Sequence, residues 1–272
     1  MSHGRRRLQT EPCVVLYKTI SMEDGSEIEE VDCYDATSDY YSHIGDKNVE
    51  ASILEKLKNG NLISGESTLM QEGAYFDEDE AALIVDEYAD LEFGRRKNSQ
   101  SRRKLAVTGT KSMLALRVVA PDSATSATES QISNAWYGTN GDPLNLKSQY
   151  EACSYGKVTM NPANTNQVSN GVYTVNIAQT ATGVDNSLIR SAAVNEGNAQ
   201  LGNMQSQFDF VMVCVPPGTN GGWIAYAYGN WYLSVVRSLI IACVGFVIFL
   251  AFLSTKLFIF SELSTTIIGA YT

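Results

Sequence analysis

The sequence predicts a mixed α+β or α/β layer fold, preceded by a smaller α+β unit and followed by an apolar helix. Three observations lead there. Strand and helix patterns alternate over residues 112–218. The charge changes abruptly near residue 95. The last thirty-five residues are almost free of charge.

The 272 residues carry a formal net charge of −10, unevenly spread. Residues 1–94 hold 22 acidic and 7 basic side chains, residues 95–104 ("RRKNSQSRRK") hold 6 basic ones, and residues 105–272 hold 8 acidic and 7 basic. Such a step marks a boundary, with the basic run as an exposed linker. Nucleic-acid binding is a poor account of that run, which is short, lacks interleaved aromatic residues and follows an acidic segment.

In the acidic unit, residues 12–34 read as two strands around the "EDGS" turn, with Val14, Leu16 and Thr19 on the first. Cys13 and Cys33 then fall at the outer ends of a hairpin, a fair geometry for a bridge. Residues 48–58 have helical apolar spacing at Val49, Ile53, Leu54 and Leu57, closed by Asn59-Gly60. Residues 76–93 are acidic around the short run "AALIV".

The middle part is more regular. Residues 112–122 predict a strand ended by Pro121, and 126–138 a helix with a Ser126/Glu129 capping box and Ile132, Ala135 and Trp136 on one face. A second helix spans 145–156, strands follow in "KVTMNPA" and "GVYTVNIA", and a third helix spans 185–202 with a weak spot at Gly197. Residues 208–218 predict a buried strand stopped by Pro216-Pro217.

Five cysteines are present, with no C-x-x-C pair to suggest a zinc finger. Disulfides among Cys13, Cys33, Cys153 and Cys214 would suit a secreted protein, and free buried thiols are the other reading. The acidic clusters lack EF-hand spacing. "GTNGDP" and "GTNGG" lack the Lys-Ser/Thr of a phosphate loop. Ser-His-Asp chemistry would need His3 or His43, both in the acidic unit. The N-terminus has no apolar core of a signal peptide.

The series "LALRVVAPDSATSATESQISNAWYGTNGDPLNLKSQYEACSYGKVTMNPA", "GVYTVNI" and "FDFVMVCVPPGTNGGWIAYAYGNWYLSV" resembles the front half of gametolysin-type zinc metallopeptidases, over about residues 105–235. The resemblance implies a metzincin-like fold of two subdomains around a cleft, of which 105–236 is part of the first. Residues 1–94 would be a propeptide. The basic linker would be a processing site for a convertase, at Arg95, Arg96, Arg102, Arg103 and Lys104. Trp223, Tyr226, Tyr228, Trp231 and Tyr232 would line the cleft, pack as core, or sit at a membrane interface.

The resemblance also implies zinc, held by an H-E-x-x-H helix and a further histidine shortly after "WIAYAY", with the glutamate as general base. That helix is not in the sequence. His3 and His43 have no partner one turn away, so no catalytic and no metal residue is assigned, and no cofactor is expected on this chain. Cys13 matches no zinc-capping pattern, and a protein substrate is implied only for a complete form.

The departure from the family wording falls at residues 234–238. Ser238 to Thr255 are uncharged, about 27 Å of helix, enough for a thin membrane span within 237–260, with 261–272 as a short tail. One reading makes this a genuine anchor, with Arg237 and Lys256 flanking it and giving no orientation. A second makes it a translated intron or frameshift, which the abrupt break favours. A third hides it as a buried helix. The expected location is the membrane, or the secretory pathway and the cell exterior. Without a second subdomain or the tail, the strand at Phe208–Val215 is expected to lose cover and the 105–236 layer to fold poorly.

Overall fold

The computed structural model describes residues 6–77, 81–85, 90–96, 108–229 and 231–237. Within them the elements run β1 (Arg6–Leu8), β2 (Cys13–Met22), β3 (Glu27–Asp35), β4 (Tyr40–Ile44), α1 (Lys47–Lys58), β5 (Ser67–Met70), β6 (Tyr75–Asp77), β7 (Ala82–Ile84) and β8 (Glu92–Arg95). After the linker come β9 (Gly109–Val119), α2 (Glu129–Tyr137), α3 (Leu146–Cys153), β10 (Val158–Pro162), β11 (Val172–Asn176), α4 (Asn186–Leu201), α5 (Met204–Gln207), β12 (Phe210–Val215), β13 (Trp223–Tyr228) and β14 (Leu233–Arg237).

The second half builds a mixed layer. β12 lies between β9 and β14, parallel to both. β10 and β11 follow one another along the far edge of β9, also parallel to it. β13 turns back antiparallel on β14. Parallel strands need both faces covered, and these are. Leu114, Leu116, Val211, Val213 and Val235 face α4, through Ile189, Ala193 and Val194. Met113, Ala115, Met212 and Cys214 face α2 and α3, through Ile132, Trp136 and Leu146. The strand at 210–215 is therefore enclosed by described residues, against the expectation that it needs the tail for cover.

The first half is an antiparallel meander of β2, β3 and β4 extended by β7, β6 and β1. The turn between β2 and β3 is the expected one, with Asp24 accepting from the Ser26 amide and Gly25 at φ 84°. α1 starts at Asp46, whose carboxylate accepts from the amides of Asn48 and Val49, and covers the face carrying Val15, Val31 and Ile44. Cys13 and Cys33 lie on that face and are joined as a disulfide. Cys153 is an exposed free thiol and Cys214 a buried one, so no bridge joins them.

Two local readings are corrected. The α2 capping box is Thr128 with Gln131, not Ser126 with Glu129, so the helix starts two residues later than the pattern suggested. Gly197 is a contact rather than a weakness: a Cβ there would stand 2.8 Å from the Met204 methyl and 3.2 Å from Leu116. The apolar helix expected over 238–260 lies outside the described residues, and among those described no helix is long and apolar enough to cross a membrane.

Asn170 and Gly171 both have positive φ, 55° and 75°, in the tight turn that leads into β11. A Cβ on Gly171 would lie 2.4 Å from the Tyr137 ring and 2.8 Å from Pro162. Gly171→Ala is therefore expected to lower stability by at least ~1 kcal/mol, read as a fall in the urea midpoint at unchanged slope.

Candidate functional site

The two halves do not form separate layers. β13 is flanked on one side by β14 and on the other by β2, antiparallel, with Tyr226 opposite Ile20 and Tyr228 opposite Lys18. The same edge of β2 takes β5 at Cys13 and Val14, so β5 and β13 share it end to end. Between them, Gly229 donates its amide to the Tyr17 carbonyl at 2.9 Å, and the Ser64 hydroxyl donates to the Gly229 carbonyl at 2.6 Å. One sheet thus crosses the charge boundary read from the sequence.

The core on the α4 side crosses with it. Alternation along β2 and β3 points Val14, Leu16 and Tyr34 to the same side as Tyr226 and Tyr228 of β13. Lys18 and Asp32 share that side, and there the sheet buries charge. Arg190 of α4 is 0 % exposed and Asp32 is 2 % exposed. The Lys18 ammonium lies 3.0 Å from Asp32 Oδ1 and 2.8 Å from a Glu30 oxygen. Arg190 Nη1 lies 3.4 Å from Asp32 Oδ2 and donates to the Tyr228 hydroxyl, which in turn donates to Asp32. The guanidinium sits 4.6 Å from the Tyr41 ring centre, with Tyr226 and Tyr228 near its other sides.

Burial on its own would raise the Asp32 pKa. The charges of Lys18 and Arg190, with the hydrogen bond from Tyr228, outweigh it and hold the carboxyl at about 2. Lys18 is pushed above its ordinary range: burial lowers it, but Asp32 and Glu30 more than compensate. The result is a buried, charged knot made by β2, β3, β13 and α4 together. Its rim has further contacts across the seam. Arg237 bonds Glu23 at 2.8 Å and the Thr219 carbonyl at 2.7 Å, and stacks on Trp223. Asn198 donates to Asp39, and the Trp231 indole donates to the Tyr41 hydroxyl.

The aromatic group named from sequence is thus drawn into this seam. Trp223, Tyr226, Tyr228 and Tyr232 are buried core, and Trp231 is partly buried against Tyr34. Arg95 is exposed but paired with Ser67 in the β5–β8 ladder. The Arg96 amide donates to the Glu66 carbonyl, and its side chain lies over Trp231. Those two residues are held in structure rather than presented in an open loop. Arg102, Arg103 and Lys104 lie outside the described residues, as does His3.

Sequence reading missed Lys18, Asp32 and Arg190. A signal existed: Arg190 is spaced three and four residues before Ala193 and Val194, on the apolar stripe of its helix, and Lys18 follows Leu16 at period two.

The gametolysin peptidase M11 family model matches residues 113–247. Residues 113–247 belong to the gametolysin-type metallopeptidase family. The family match continues ten residues past the end of β14, into the apolar segment, whereas the wording alone placed the break at 234–238. No curated protein and no solved structure matches the chain significantly.

Gametolysin-type peptidases use zinc, so the fit of the residues to that metal is a direct question. Among the described residues no three His, Cys, Asp or Glu side chains converge as a metal site. His43 lies within β4, paired with Asp32 and Ala82, on strands whose acidic neighbours are already in ion pairs. Cys214 is buried, and burial pushes its thiol up to about 12, so it stays protonated. These residues do not fit zinc, and no catalytic step is derived through it.

The Asp32 carboxyl is depressed from 3.8 to about 2, so its contribution is complete above about pH 4 and fades as pH falls toward 2. That corresponds to roughly 2 kcal/mol. Lys18, Arg190 and Tyr228 stay in one protonation state throughout this range. Asp32→Asn is expected to be destabilised by about 3 kcal/mol near neutral pH. It should also show a shallower acid loss than the parent, checked by urea melts at pH 2.5, 4 and 7.

Proposed function

We propose that this chain is the pro-region and the first, N-terminal layer of a gametolysin-type endopeptidase, and that these 272 residues do not hydrolyse peptides by themselves. The observation that carries this is the pairing of a family match over 113–247 with only two histidines in the sequence, His3 and His43, neither with a second histidine one helical turn away. The chemistry of the family requires a zinc ion held by two histidines one helical turn apart and a further histidine, with a glutamate as general base on the zinc-bound water. The described layer supplies core, sheet and turn residues for such an enzyme but no ligand set.

In this reading the acidic region is a zymogen segment, and the basic run is where a convertase cuts. Because Arg95 and Arg96 are engaged by β5, Glu66 and Trp231, the cut falls after Arg103 or Lys104. The protein travels the secretory pathway.

A second reading has an observation of its own. The uncharged run Ser238 to Thr255 is long enough for a thin span, so the chain would act as a membrane-held pseudoprotease that binds a partner rather than cutting one.

Full-length protein purified from a secretory host should contain less than ~0.1 zinc per chain and leave gelatin and casein intact. Stoichiometric zinc with proteolysis would overturn the inactive assignment. N-terminal sequencing of the same material should find a start at Lys104 or Leu105, and a start at Met1 or Ser2 alone argues against processing. For the second reading, a reporter fused after Thr272 should resist carbonate extraction and require detergent. A reporter released by carbonate removes the anchor.

A further inference from the structure

Cleavage of a linker frees a fragment only if nothing else holds it. Here β2 is hydrogen-bonded along β13, and one core runs beneath both, from Leu16 and Tyr41 to Tyr226 and Val194. The buried charge is divided between the two sides: Arg190 comes from the peptidase layer, while Asp32, the carboxylate in contact with it, comes from the acidic region. Taking that region away would leave Arg190 without the acid and would open the β13 edge. Long-range attraction does not drive the contact. Residues 1–94 carry −15 and residues 105–272 carry −1, so the net charges repel.

We propose that residues 6–96 are a tightly held non-covalent partner of the peptidase layer, docked as an added strand on β13 and selected by the Asp32–Arg190 contact. A chain cut in its linker then remains a two-piece complex. Cutting and release are separate events, and release requires the buried charge pair to be broken. Specificity resides in the position of one acid: a strand that pairs with β13 as β2 does must be accompanied, on its neighbouring strand, by a carboxylate that accepts from the Tyr228 hydroxyl and faces Arg190. This deepens the pro-region assignment, but it concerns the seam and does not depend on whether a host convertase finds the basic run.

The test is made on the full chain with residues 97–104 replaced by the recognition sequence of a site-specific protease. After complete cutting, gel filtration is run at about 10 µM and again after 100-fold dilution, in 0.15 M and 1 M sodium chloride. The two pieces should co-elute under all four conditions, because a buried pair is screened far less than a surface one. Separate elution on dilution, with a native circular dichroism spectrum before loading, overturns the proposal.

Two variants separate the charge contact from general packing. Asp32→Asn should weaken the cut complex by at least about 100-fold. Glu23→Gln removes a rim carboxylate while Arg237 keeps its bonds to the Thr219 and Gly221 carbonyls, and should change it less than about threefold. If Asp32→Asn fails to fold before cutting, Tyr228→Phe replaces it, removing only the bridging hydroxyl, with about a tenfold weakening expected. Equal affinity of the Asp32 or Tyr228 variant and the parent overturns the selection by charge. Failure of a host to cut the natural linker would sink the processing assignment and leave this result standing.

Discussion

A guanidinium with no exposed surface has to be answered by the residues around it. Arg190 is answered at Nη1 by Asp32 and the Tyr228 hydroxyl and on its faces by three tyrosines, its Nε alone lacking a hydrogen-bond partner among the described residues, and the pairing of β3, β2 and β13 is tied to that arrangement. The carboxylate reaches Arg190 only if β3 lies beside β2 and β2 lies beside β13. The tyrosines reach it only if Tyr226 and Tyr228 turn toward α4. Lys18 keeps Asp32 ionised from the opposite side. A buried network of this kind is weak evidence of net stability, since apolar replacements can do as well, but breaking one member leaves an uncompensated charge. Its consequence here is register: sliding β2, with β3 beside it, by one residue along β13 would turn Lys18 and Asp32 away from Tyr228 and Arg190.

The sheet that results joins two regions of very different composition. The acidic region contributes an antiparallel meander, and the gametolysin-type layer contributes parallel strands under helices. β13 is the element between them, antiparallel to both neighbours. An open β13 edge would invite pairing with other chains, and β2 removes it, while β5 takes the rest of the same β2 edge. The acidic region is therefore part of the fold rather than an appendage, whatever happens to the linker afterwards.

Local structure was largely readable. The EDGS turn, the helix closed by Asn59-Gly60, and the strands at 112–119 and 210–215 follow from turn residues and from apolar period, because those signals act over a few residues. The α2 cap was misplaced because Ser126 and Thr128 both begin plausible boxes, and only the geometry selects Thr128. The joining of the halves was not readable. β2 and β13 are some two hundred residues apart, each pattern says only that it is a strand, and the charge step at the linker argued for separation. The family was visible in the wording of the middle segment, while the charged knot was hidden because Lys18, Asp32 and Arg190 meet only through the long-range pairing of β2 with β13.

The central claim is that β2 and β13 are interior, mutually paired strands of one cooperative sheet. Hydrogen exchange on the intact chain measures it directly. The amides of 14–22 and 223–228 should be protected to within about tenfold of those in 210–215, the strand at the centre of the peptidase layer. If the 14–22 and 223–228 amides exchanged a thousandfold faster while 210–215 stayed protected, the seam would be a loose contact between two independent layers, and the account built on Arg190 would fail.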